Sequence, residues 1–225
     1  MRHSIVLMAL LPLLAACGAD DEEDKNPWEN RSYMLEIPST HWSEPAQIGN
    51  EIGAFVPRFL LQVTGSSPDQ FTVTVGTADT AGAQNLCSVT SEFQAQAADH
   101  PNVQIGPSTL PVHLVHPTQP VEVDATIYDM AMANILPNGA TLAEEGEFTA
   151  VVNARELYPL FTLLPEPSAE TVCAALDTYD SACVSCPTDG AIFCLPLKAV
   201  RLGASEMSGM AVVPVDATTR DPSCP

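Results

Sequence analysis

From residue 31 onward, apolar and polar residues alternate in short stretches bounded by Pro, Gly, Asn or Asp. A period of two places the apolar set on one face of a strand. Tyr33, Leu35 and Ile37 alternate with Met34 and Glu36, and Pro38 closes that stretch. An apolar run at 55–63 contains Pro57, which restricts it to an edge or to a strand start. The cleanest pattern lies at 70–75, with Phe71, Val73 and Val75 on one face and Thr72 and Thr74 on the other. Further strands are predicted at 86–93, 112–115, 121–128, 148–152, 191–202 and 209–215. Between them, small and polar residues at 79–85 predict a loop, and 95–98 a short helical turn. Asn138-Gly139 and Gly146 predict turns.

Helical spacing is convincing once. Ser168 follows Pro167 as an N-cap, Glu170 sits in the first turn, and Val172, Ala175, Leu176 and Tyr179 share one face. A shorter turn is predicted at 154–161, capped by Asn153. Short strands with frequent turn residues predict a mainly β fold, a sandwich or barrel of short antiparallel strands with one or two short helices. No internal repeat or second domain boundary is visible, so 31–225 is expected to be a single domain.

Residues 1–16 follow a different pattern. Arg2 is a positive start, Ile5 to Leu14 is an apolar run, and Ala15 and Ala16 are small. These are the three parts of a secretory signal, and the run is too short to span a bilayer. Leu14-Ala15-Ala16-Cys17 resembles the lipobox of bacterial lipoproteins. The resemblance covers only the leader. It implies cleavage before Cys17 and lipidation of Cys17, so that the partner is a membrane held through that lipid. Several acyl chains on one cysteine matter here, because a single chain anchors weakly. Gly18, where an Asp would favour inner-membrane retention, implies the outer membrane, facing the periplasm or the cell surface.

The formal net charge is −20. Loss of 1–16, which carries Arg2 and no acid, makes the mature chain one unit more negative. Such a chain repels phosphate backbones, so nucleic acid is excluded as a partner. The run Asp20-Asp21-Glu22-Glu23-Asp24 gives 17–30 the character of an extended, solvated tether. It lacks the alternating ligands and shaping glycine of an EF-hand loop. Twenty prolines spread along the chain argue against long helices.

With Cys17 set aside, Cys87, Cys173, Cys183, Cys186, Cys194 and Cys224 remain. An even number in an oxidising compartment points to disulfides. A zinc site wants paired knuckles, and only one C-x2-C is present. A thioredoxin-like pair wants its C-x2-C at a helix start, whereas Cys183-Val184-Ser185-Cys186 follows the predicted helix and precedes Pro187. The four clustered cysteines are expected to pair among themselves in an interleaved way. That leaves Cys87–Cys224 to pin a C-terminal tail that would otherwise fray.

Candidate chemistry is sparse. His113-x2-His116 is the one close histidine pair, but on a strand its members point to opposite faces. His41 and His100 stand alone. No metalloprotease, phosphate-loop or nucleophile-elbow motif occurs, and neither a cofactor nor a metal is implied. Trp42 with Tyr33 could form a sugar-binding platform, although so few aromatics are better explained by packing. The expected function is that of an envelope-anchored, non-enzymatic binding or structural module, with its protein or glycan partner open. The alternatives are a lipid-anchored hydrolase or carbohydrate-binding module, and a calcium-dependent adhesion or sensor module.

Overall fold

The alternating stretches pair into one antiparallel sheet in the structure, a computed structural model. It describes residues 30–224 except 36, 38–40, 48, 67–69, 80, 100–101, 117, 136 and 139–140. The strands are β1 (Ser32–Leu35), β2 (His41–Glu44), β3 (Arg58–Ser66), β4 (Gln70–Ala78), β5 (Ser91–Asp99), β6 (Asn102–Val115), β7 (Glu122–Ile135), β8 (Pro137–Asn138), β9 (Thr141–Asn153), β10 (Val184–Ser185) and β11 (Ile192–Glu206). Among the described residues three short α-helices, α1 (Gly49–Gly53), α2 (Ala154–Leu157) and α3 (Ala169–Asp177), and a 3-10 turn at Tyr158–Leu160 lie in the connections.

The pairing path runs β11-β1-β3-β4-β5-β6-β7-β9, and β9 pairs again with β11. Near its end β11 is bonded on both sides: Ala204 pairs with Leu35 of β1 and with Leu142 of β9. The sheet therefore curls into a barrel-like wall, the solution that leaves few exposed strand edges. Inward positions of successive strands fill it. Phe59 stacks on Phe148 at 6.3 Å, and Trp42 meets Phe148 edge-on at 6.3 Å. Leu61, Val73, Phe93, Leu110, Ile127 and Leu197 pack around them.

Strand direction sorts the connections. Those at 45–57, 79–90, 116–121 and 154–191 leave one end of the barrel. Asn30 enters at the other, where its N–H donates to the Val63 carbonyl at 3.2 Å. After β11 the chain turns back along the outer wall. Val212 covers Leu60 and Ala78, and Cys224 reaches Cys87 at the loop end.

Several expectations change. Residues 95–98 are strand, not a helical turn: Ala95 packs in the core opposite Phe71 and Ile105, and sheet pairing overrides alanine's helix preference. Residues 86–90 are loop, and β5 starts at Ser91. Gly146 lies inside β9 rather than at a turn, beside a register shift and against Leu202. The segment 209–215 is not a strand. Side chains satisfy its backbone instead: Gln62 Oε1 accepts from Val212 N and Gln84 Oε1 from Val213 N, both at 2.8 Å. At the predicted Asn138-Gly139 turn, Asn138 pairs with Thr141, and Gly139 lies outside the described residues.

Candidate functional site

At the loop end the core opens to solvent through an apolar cleft of about 520 Å³. Three segments, from the connections at 45–57 and 154–191, build its main walls. The first is α1. Gly49 and Gly53, one helical turn apart, lie directly on Trp42, and a Cβ on either would collide with that side chain. This close approach directs Ile52 into the core, and the turn that follows, closed by Phe55 N to Ile52 O at 2.9 Å, brings Phe55 to the cleft.

The second wall follows β9. Asn153 caps α2, accepting from the Arg155 N–H at 3.0 Å. Arg155 Nη1 donates to Asp189 Oδ2 at 2.7 Å, and its guanidinium lies 5.4 Å from the centre of the Phe193 ring. That bond, with the Ala191 N–H, holds the Asp189 carboxyl below its ordinary pKa, and Asp189 in turn raises Arg155. Glu156 accepts from the Thr126 N–H and from the Tyr128 hydroxyl. So fixed, the connection presents Leu160, Phe161 and Leu164 to the cleft, with Leu163 96% exposed at its rim.

The third wall is α3. Ser168 caps it as expected, with Thr171 returning a reciprocal bond to the Ser168 N–H at 2.8 Å. Val172 and Leu176 are buried, whereas Tyr179, expected on the same face, lies past the helix end and is half exposed at the cleft. Cys173–Cys183 ties this helix to the loop behind it, and Cys186–Cys194 ties that loop to β11. The interleaved pairing is thus corrected to a sequential one. The turn after α3 brings Cys183 back to Cys173, and the β10–β11 pairing brings Cys186 beside Cys194. Cys87–Cys224 is present as expected.

A second hollow of about 40 Å³ lies in the barrel mouth and shares Ile52, Phe55, Leu160 and Phe161 with the cleft. Its remaining lining, including Val112, Ala125, Ile127, Val152 and Leu197, is wholly apolar. Among the described residues, hydrogen-bonding side chains occur only in the outer cleft, at His116, Thr162 and Tyr179, and no Lys or Arg lines it. His116 stands edge-on to Phe55, with ring centres 5.3 Å apart. Its Nδ1 accepts from Thr118 N and Gln119 N, both at 3.1 Å, which makes Nε2 the nitrogen free to donate.

His113 and His116 do not converge. His113, 8% exposed, faces Asp124 Oδ1 through Nδ1 at 3.0 Å and Glu122 Oε2 through Nε2 at 3.2 Å. Arg220 Nη2 lies 3.8 Å from the same Asp124 oxygen, so this cluster secures the returning tail. Among the described residues no group of His, Cys, Asp and Glu is arranged to hold a metal ion. Tyr33 and Trp42 are both buried, which removes the sugar-platform reading. His41 is exposed on β2, and Cys17, the acidic run and His100 lie outside the described residues. In comparison with known proteins, no family model, curated protein or solved structure matches the chain.

Proposed function

We propose that this chain is an envelope-anchored binding module, held by lipid on Cys17 and offering the apolar cleft to a ligand. The observation that carries the binding role is the cleft itself. It is a solvent-open apolar hollow within the roughly 300–1,000 Å³ range of ligand sites, with walls fixed by two disulfides and a capped helix. Leu163, exposed at the rim, extends the apolar surface of the cleft into solvent. Anchorage rests on the Leu14–Cys17 motif and on the acidic spacer after it.

The test uses the mature chain with Cys17→Ser, so that no acyl chain of its own competes, and the neutral solvatochromic dye Nile red. Saturable binding with a blue shift is expected. It should be weakened by Leu163→Glu, which puts a charge on the rim, and abolished by Ala175→Trp, which fills the cleft from α3. Dye binding that is absent, or indifferent to both substitutions in a folded protein, overturns the proposal.

A further inference from the structure

Resting on that reading of the cleft, we infer that its ligand is a long unbranched alkyl chain bearing an uncharged, oxygen-rich head, as in a monoacylglycerol. Two observations carry this.

The first is the shape of the apolar space. The outer cleft, about 520 Å³, adjoins an inner hollow of only about 40 Å³ between Val112, Ala125, Ile127 and Leu197, with Ile52, Phe55, Leu160 and Phe161 lining both. A hollow that small, with no polar partner in its lining, gains nothing from holding water, which needs several hydrogen bonds in such a place. Its volume is well below the ~150 Å³ of an apolar cavity that takes up a benzene ring. The end of a linear chain lying across Phe55 and Phe161 can enter the hollow, and each methylene it buries adds about 0.8 kcal/mol. That is about a fourfold gain in affinity per carbon.

The second is the distribution of polar groups. Among the described residues only the outer cleft has hydrogen-bonding side chains: His116 Nε2, the Thr162 hydroxyl and the Tyr179 hydroxyl. These suit hydroxyl and ester oxygens. Among the described residues no Lys or Arg lines the cleft, Asp180 follows Tyr179 directly, and the chain carries a net charge of −20. A carboxylate or phosphate head would enter without a counter-charge and against a negative field. Among the described residues no carboxylate side chain lines the cleft to pair with a cationic head either.

Displacement of Nile red from the Cys17→Ser protein tests the assignment, with each probe kept below its micellar concentration. Monolauroylglycerol is compared with laurate and with dodecyltrimethylammonium, which share one chain length. The neutral probe should displace the dye at a concentration about tenfold lower than either charged one, a difference on the scale of one lost polar pairing. Within a series of monoacylglycerols affinity should climb with chain length and then level off. Ala125→Val, which narrows the inner hollow, should move that plateau to a shorter chain. Laurate or the ammonium probe binding as well as the neutral one overturns the head-group assignment. A flat chain-length series in the unsubstituted hollow overturns the alkyl assignment, and it is read on a protein that needs no core substitution. A protein that does not bind the dye at all fails the broader binding proposal instead, so the two failures are distinguishable.

Discussion

Asp216 shows how much local order one carboxylate can impose on a segment without regular structure. Its Oδ1 accepts from Thr218 N at 2.7 Å, Thr219 N at 2.8 Å, Thr218 Oγ1 at 2.6 Å and Thr219 Oγ1 at 3.1 Å. These donors favour the charged form and lower its pKa from 3.8 to about 2. Because the folded value lies below the ordinary one, the contribution to stability is complete above pH 3.8. It declines as pH falls and is gone below about 2. Asp216→Ala should therefore lower the denaturation midpoint at pH 6, and the gap to the parent should close as pH approaches 2. A gap that stays constant over that range would show that Asp216 acts only through the shape of its side chain. At this scale much was legible: Ser168 as a cap follows from a hydroxyl placed before an apolar helical face. The packing of Trp42 against Gly49 and Gly53 was not legible, because nothing in the spacing of these residues says that a helix will lie across a strand.

At the scale of elements, pattern succeeds where one face is dry and the local backbone is regular. β4 follows its alternation, with Phe71, Val73 and Val75 inward. β6 defeated the pattern because Gly106, Pro107 and Pro111 lie inside it. Gly106 and Pro107 coincide with register shifts against β7, and Gly106 has a φ of 84° at a place where a Cβ would collide with the Met130 carbonyl. The cysteines divide in the same way. Cys87–Cys224 follows from long separation and a terminal tail, whereas the sequential pairing at 173–194 depends on two successive reversals of the chain. Loop-closure entropy gives these bonds unequal weight. The 137-residue separation of Cys87 and Cys224 corresponds to about 5 kcal/mol, and the 10-residue separation of Cys173 and Cys183 to about 3 kcal/mol. Removing Cys87 and Cys224 together by Ser substitution should thus cost more in urea denaturation than removing Cys173 and Cys183. The smaller loss should nevertheless do more damage to dye binding, because that bond holds α3 at the cleft. The opposite ranking in either measurement would contradict this division of roles.

The whole molecule has a direction. The alternation along the chain foretold a β barrel or sandwich but not which connections would cluster, since that depends on strand polarity around the closed path. With polarity known, the cleft and the chain entry fall at opposite ends: Phe55 precedes β3, and Asn30 is bonded to Val63 near its far end. β3 alone spans about 25–30 Å. A segment of the length of 17–30 reaches at most about 45 Å. We propose that a domain held through Cys17 carries its cleft on the side away from the membrane, open to ligands or partners in the aqueous space. Two fluorophore positions test this on lipidated protein in vesicles that contain an acceptor lipid. One is Asn30→Cys, at the tether end, and the other is Leu163→Cys, which is exposed at the cleft rim. Energy transfer should be clearly stronger from position 30 than from 163, and it should fall to background at both when Cys17→Ser removes the attachment point. Equal transfer from both positions would mean that the domain lies on its side, and stronger transfer from 163 would mean that the cleft itself faces the bilayer. Transfer that survives Cys17→Ser would show that something other than this cysteine holds the domain at the membrane.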